Sequence, residues 1–491
     1  MAAHPRLHMP SADRITIDIP RLDARTESAG PLLESLRRKL SPQGNVVSPR
    51  GRALTEKVFG RPLTPQQVVE TICQDIAAEG TPALLRYSAA LDNAPLRADQ
   101  LRVPAEDLQA AHRTADRELL AAVRQIRDRI VQFQSAILHR DVSIEPQKGI
   151  RLGQRYLPLR RIGVCVPGGA AAYPSTVLMT AVAAQVAGVE EIAVIAPPTP
   201  FGSYNVDMLA TCHELGITEV YRVGGAQGVA ALAYGCEVLP AVDKIVGPGN
   251  LFVALAKKYV YGDVDIDSIA GPSEVIVIAD QTARADWVAV DLLSQAEHSP
   301  GSAILLTWTE GLIEEVYEQL CEQLRELDRA PLTIDSLESF SALIRVADEA
   351  QAVELTNRFA PEHLHLQTAN PQQLARKLVH SGATFLGPYT PVALGDYAAG
   401  PSHVLPTGGT ARWAAGLSAN DFLRSSSLIE CSPEGLAALA PNVLALAAKE
   451  GLPAHARSVQ LRLEGLRLEG LSAAGDSPPP STTPLDESPR W

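Results

Sequence analysis

The chain has 491 residues, 46% of them hydrophobic and 20% charged, with a net charge of −13. That length calls for two or more domains, and the acidic balance excludes the basic face of a nucleic-acid-binding protein. No apolar run reaches the roughly 18–20 residues of a membrane span.

The first residues, MAAHPRLHMPSADR, lack the apolar core of a secretory signal. The six cysteines are scattered and none forms a C-x-x-C pair, so a reducing, cytoplasmic setting without a membrane partner is expected. Residues 1–25 are mixed in character and predict a loosely ordered N-terminus. Residues 26–150 predict a helical region. There PLTPQQVVETICQDIAAEG (62–80) opens on Thr-Pro and closes on Gly, the punctuation of a helix. The stretch 105–138 carries an apolar stripe between charges and predicts one or two packed helices.

From 161 the texture changes. RIGVCVP (161–167), EIAVIAPP (191–198), EVYRVGG (219–225), KIVGPGN (244–250), SEVIVIAD (273–280) and SAILLTWT (302–309) alternate with helical segments. Continuous apolar strands separated by helices predict an α/β fold with a mainly parallel sheet covered on both faces. Further strands are expected near 363–368 and 383–387, and AGPSE near 270 divides two halves, 151–270 and 271–410. Residues 411–469 turn helical again. Residues 470–491, rich in Pro and Ser, predict a disordered tail.

Three strand-to-helix junctions carry glycine: VPGGAA (166–171), VGGAQGVA (223–230) and VGPGNLF (246–252). Each is either a tight turn needing positive φ or a place where backbone approaches a phosphate at a helix start. None fits G-x-G-x-x-G. Three along one edge of a parallel sheet favour a nucleotide site at the carboxyl ends of the strands.

Polar residues recur at element ends beyond 270. GPSE (271–274) puts Ser273 at a strand start. DLLSQAEH (291–298) closes an apolar run with Gln295 and His298, three apart on one helix face. This is either a solvated helix end or a metal or substrate site. APEHLHLQ (360–367) places Glu362 and His363 where a strand begins, and His365 there reads as a packed or surface histidine. The long loop 395–409 holds Asp396 and His403, the latter a loop anchor or a site residue. Glu450 sits in the last turn of a helix ending at Gly451, against the dipole, and His455 in the first turn of the next. A neutral, ligating imidazole suits that second position. Two histidines with Asp and Gln oxygens would suit Zn²⁺ with open positions for substrate.

In this order and near this spacing, VPGG, STVLM, VGGAQ, VDKIVGPGN, AGPSEVIVIAD, DLLSQAEH, APEHL, SHVLPTGGTAR and EGLPAH resemble the histidinol dehydrogenases over about residues 30–465. The resemblance implies two incomplete Rossmann-like parallel-sheet domains, 151–270 on the NAD⁺ side and 271–410 on the zinc and substrate side, with helical N- and C-terminal segments. It implies a homodimer built through 411–469. The activity implied is oxidation of L-histidinol through the aldehyde to L-histidine with two NAD⁺.

By the same resemblance one zinc per subunit is held by Gln295, His298, Asp396 and His455. Ser273, Gln295, His298, His363, Asp396, Glu450 and His455 contact substrate, with Glu450 and His455 supplied across subunits. Gln227 and Asn250 contact NAD⁺. A third cofactor position, a Tyr in the family, is Cys165 here. The chemistry suits the residue types: His363 as general base on the hydroxyl, and Glu362 as the base that activates water or the aldehyde hydrate. The rival expectations are a paralogue acting on another polar alcohol, such as a sulfonated diol, and a zinc hydrolase. The full Glu450 and His455 pair disfavours the first, and the glycine loops disfavour the second.

Overall fold

The structure is a computed structural model that describes residues 15–40, 49–169 and 171–468. The tail expected over 470–491 lies outside these residues, as do residues 1–14. The rest of the supposedly loose N-terminus is ordered: Ile17 and Ile19 are buried, and β1 (Arg21–Asp23) pairs in parallel at a sheet edge. The alternation ITIDI (15–19) is the period of a half-buried extended segment, and the sequence reading passed over it.

The chain divides into two compact units, one holding the described residues up to 138 and 158–423, the other 139–157 and 424–468. The expected boundaries near 150 and 411 therefore move. Residues 139–157 leave the helical and first-sheet regions to form an antiparallel hairpin, β2 (Val142–Gln147) and β3 (Ile150–Pro158). β2 is exposed along its whole length, so it carries no apolar run by which a sequence could announce it.

In the larger unit, helices form where predicted. Thr64 caps Pro65–Glu79 through a reciprocal bond pair with Gln67. The stretch 105–138 becomes two helices, Ala105–Thr114 and Arg117–Ile137. Then come β4 (Arg161–Cys165), β5 (Glu191–Ala196), β6 (Glu219–Arg222), β7 (Lys244–Val246) and β8 (Asp265–Ile266). They make a parallel sheet in the order β6-β5-β4-β7-β8. The direction of winding reverses beside β4, so a crevice opens between the carboxyl ends of β4 and β7. Alternate residues of β4 and β7 enter different cores: Ile162, Val164 and Val246 on one face, Cys165 and Ile245 on the other. Burial on both faces explains the continuous apolar runs.

β9 (Ser273–Ala279), β10 (Gly301–Thr307), β11 (Ala342–Arg345), β12 (His363–Gln367) and β13 (Ala383–Leu386) form a second parallel sheet with β1, ordered β1-β11-β10-β9-β12-β13. Val275 and Val277 enter one core, Ile276 and Ile278 the other. The segment after β13 serves both sheets. Val404, Leu417, Ala419 and Phe422 join a core of the first sheet, while the Gly408 N–H donates to Glu274 in β9 at 3.0 Å.

In the smaller unit β14 (Leu423–Cys431) joins β3, and two helices follow, Pro433–Glu450 and Pro453–Leu468. Gly451, at φ +69°, ends the first, as the sequence required. Among the described residues no helix is long and apolar enough to cross a membrane.

Candidate active site

Parallel pairing sets His363 of β12 opposite Val275 of β9, so the amino-terminal ends of the two strands lie side by side. That pairing brings together four polar residues that would otherwise be buried at high cost. Ser273 donates its hydroxyl to Glu362 Oε2 at 2.6 Å, and the Glu274 N–H donates to the same oxygen at 3.0 Å. His363 Nδ1 lies 3.3 Å from the Glu274 carbonyl oxygen. A donated Nδ1–H there leaves Nε2 as the acceptor nitrogen of the neutral ring. Nε2 has no hydrogen-bond partner and sits 3.6 Å from Asp396 Oδ1. It is thus a buried nitrogen without a hydrogen-bond partner, and a proton acceptor only when the ring is neutral.

The electrostatics follow from burial. Burial raises the Glu362 carboxyl, against the opposing pull of His363, Ser273 and the Glu274 N–H. Burial alone would lower His363, but the Glu362 and Asp396 carboxylates outweigh it and raise the ring to about 9. Burial also opposes ionisation of Asp396, yet His363, His403 and His298 hold it below the usual carboxylate range. Asp396 is therefore the anionic centre of the cluster. His403 Nδ1 lies 3.0 Å from the Asp396 backbone oxygen, the loop anchor that the sequence had left open. Burial lowers the His403 ring, against the opposing pull of Asp396.

Gln295 and His298 diverge from the sequence expectation in one respect. The helix runs Ala285–Ala296, so His298 stands just past its end rather than in its last turn. Gln295 is buried with its amide nitrogen unpartnered, and His298 is exposed yet within electrostatic reach of Asp396. His365 is fully buried, 3.0 Å from the Gly387 carbonyl through Nε2. Its Nδ1 is 3.0 Å from Asp291 Oδ2 but poorly aligned with it. It packs, as one of its two sequence readings held.

Glu274 was missed. The GPSE motif drew attention to Ser273 alone. Yet Glu274 has no exposed surface, accepts from Gly408, and leaves Oε2 unpartnered. Its carboxyl is pushed up to about 8, by burial first and then by the Glu362 charge. An acidic residue opening a run of five apolar ones, EVIVIA, was the available signal.

On the first sheet the glycine loops after β4 and β7 stand at the expected crevice. Asn250 is exposed and caps the helix Leu251–Val260, its Oδ1 accepting from Phe252 and Val253. Gln227 is buried, and its amide donates to Asp92 at 2.9 Å. Cys165 is buried too, with burial raising its thiol to about 12. The two loop systems are neighbours. Tyr397, beside Asp396, is raised by burial and by Asp396, Glu297 and Tyr173, the residue before the helix that follows the first loop. Glu450 and His455 belong to the smaller unit, where both are exposed.

A family model described as histidinol dehydrogenase matches residues 62–463. The chain belongs to the histidinol dehydrogenase family. The family's activity makes it an NAD-dependent oxidoreductase of histidine biosynthesis. Among the family's members, histidinol dehydrogenase of Rhodopirellula baltica is 65% identical over 449 residues, covering 91% of this chain and 98% of that one. That of Moorella thermoacetica is 47% identical over 418 residues, covering 84% and 99%. The crystal structure of histidinol dehydrogenase from Elizabethkingia anophelis superposes with a TM-score of 0.82 at 32% identity, over 92% of this chain and all of that one. Family, fold class and enzyme class thus agree with the sequence expectation.

The structure groups Ser273, Glu362, His363 and Asp396 directly and sets His298 near them. Among the described residues no three His, Cys, Asp or Glu side chains form a metal-holding group within the chain. Only two of the four expected zinc ligands, His298 and Asp396, are of those types in the larger unit. Gln295 is an amide, and His455 stands in the smaller unit.

Proposed function

We propose that the cluster at the amino-terminal ends of β9 and β12 oxidises L-histidinol to L-histidine through the aldehyde, with two NAD⁺. The observation that carries this is the unpartnered His363 Nε2 facing Asp396, backed by Glu362. In this assignment His363 Nε2 takes the hydroxyl proton as hydride leaves the carbinol carbon. Glu362, steadied by Ser273, takes a proton from water or from the aldehyde hydrate in the second oxidation. Asn250 and Gln227 would hold NAD⁺ at the carboxyl ends of the first sheet, and the cofactor would supply the hydride acceptor.

The donor set fits Zn²⁺, and two features of the chain support that. Gln295 is a buried amide without a partner for its nitrogen, and the amide's two ends exchange by a flip. Asp396 is held ionised, with His298 in reach. Gln295, His298, Asp396 and a His455 would hold the ion, which when bound orients the substrate's imidazole and amine. The Glu362 and Asp396 carboxylates favour the protonated His363 ring. A cation held by Asp396 would offset one of them and favour the neutral ring, in which Nε2 is the base.

The exposure of Glu450 and His455 on the helical arm supports their delivery to the active site of a second copy in a cytoplasmic homodimer. There Glu450 would meet the cationic end of the substrate. The test is NADH formation from L-histidinol by zinc-loaded protein. Two NADH per histidine are expected, lost on chelation, with His363→Asn slower by about 10²–10⁴-fold. Binding of zinc and NAD⁺ without turnover would move the substrate to another polar alcohol.

A further inference from the structure

The loop after β7, Gly247–Asn250, is held by a pair of charges. Lys257 and Asp267 form an ion pair in which each side chain is only 3% exposed. Both reach the same residue. Asp267 Oδ2 accepts the Gly247 N–H at 2.7 Å, and Lys257 Nζ donates to the Gly247 carbonyl at 3.0 Å. Gly247 has φ +102°, and a Cβ there would stand 2.3 Å from the Cys165 carbonyl oxygen. The loop therefore passes directly against the end of β4, the other wall of the crevice.

A buried ion pair is a poor device for stability alone, because desolvation consumes most of its Coulombic gain. It is a good device for fixing geometry, since each charge is satisfied in one arrangement only. Here the charges reach the loop from opposite sides in sequence. Lys257 is on the helix that the loop starts, and Asp267 lies just after β8. Asp267 Oδ1 also accepts the Ser268 N–H at 2.6 Å. From Ser268 the chain runs to Gly271, whose N–H donates to Thr407 at 2.6 Å, and on to Ser273. The pair thus sits where the cofactor crevice is joined to the strand that carries the acid–base cluster.

We propose that Lys257 and Asp267 are positioning residues for the dinucleotide: they hold Gly247 so that the following loop and Asn250 meet the cofactor in one register. The proposal rests on the assignment of this loop to NAD⁺.

The test uses Lys257→Met/Asp267→Asn, which removes both charges together and leaves no lone buried ion, beside Asn250→Ala and the unchanged protein, all zinc-loaded. The expected result is a rise of about tenfold or more in the KM and Kd for NAD⁺ in the double variant. The KM for histidinol and the kcat at saturating NAD⁺ stay within about twofold. A merely structural pair would lower thermal stability and leave the KM for NAD⁺ where it was. That outcome, with Asn250→Ala raising the same KM, overturns the proposal alone. If Asn250→Ala is also without effect, the assignment of the loop to NAD⁺ fails first. Should the double variant not fold, Lys257→Arg keeps the charges paired and displaces the donor to Gly247. It is expected to raise the KM for NAD⁺ several-fold, and an unchanged value overturns the proposal equally.

Discussion

Glu274 offers the sharpest quantitative test of this site. It is fully buried and its carboxyl is raised from 4.5 to about 8, by burial and by the neighbouring Glu362 charge. The folded protein holds that proton more tightly than the unfolded chain. Between pH 4.5 and about 8 the native state therefore binds more protons, and stability falls as pH rises through this window. At ~1.4 kcal/mol per decade, full ionisation costs about 5 kcal/mol, an upper bound because relaxation around the charge recovers part of it. Glu274→Gln removes the titration and keeps an acceptor for the Gly408 N–H. Its amide nitrogen replaces the oxygen that has no partner. Denaturant midpoints of the two proteins should therefore converge near pH 5 and separate as pH rises, with the variant on the order of 2–5 kcal/mol more stable by pH 8.5. Its kcat at pH 7 should change only a few-fold, because a Glu274 that is neutral there contributes no charge to lose. Parallel stability profiles across pH 5–8.5 would refute the reasoning, since they would mean that Glu274 does not titrate in that window.

Two further substitutions probe packing close to the two binding regions. His365→Ala leaves Asp291 with Gln367 as its remaining side-chain partner, at 2.7 Å, and opens a cavity. A loss of about 2–4 kcal/mol is expected, read by denaturation, with the KM for histidinol little changed. Cys165→Tyr introduces the aromatic that the resemblance led one to expect, but here the thiol is enclosed in a core beside Lys257 and Asp267. Insertion there should cost about 1–3 kcal/mol. A variant that binds NAD⁺ more tightly with no loss of stability would show that the ring turns out of the core to the ligand.

Much of this architecture was legible because burial on both faces writes itself as unbroken apolar runs. β4, β5 and β9 fall within the predicted stretches, and β10 begins one residue before its own. What was not legible lacked that signature. β2 is exposed throughout, and β8 is two residues long. Candidate site residues stood out where the chain placed a polar group against its own element's preference, as with Glu362 and His363 at the start of a buried strand. Lys257 and Asp267 escaped because sequence cannot say which charges are buried together. Asp267 and Gly247 lie twenty residues apart and meet only because β7 and β8 pair.

The two sheets share one winding pattern but use opposite ends. In the first, the reversal beside β4 opens at the carboxyl ends, where glycine loops keep the backbone bare. In the second, the reversal falls between β9 and β12, and its carboxyl end is closed. Asp280, just after β9, takes the N–H and hydroxyl of Thr282 on one oxygen and the Ala369 N–H on the other. Its own N–H donates to the Gln367 carbonyl. A carboxylate satisfied in this way, with no glycine in the turn, ties the two strand ends together and repels phosphate. In the proposed assignment, the rule that ligands bind at carboxyl ends therefore holds in the first half and fails in the second. The chemistry of the second half goes to the amino-terminal edge, where the strands begin with Ser-Glu and His. There the connecting segment 400–423, packed in the first half's core, can also reach it through Gly408. On the proposed assignment one winding pattern serves the dinucleotide at one end and acid–base work at the other, and the local residues at each strand end decide which.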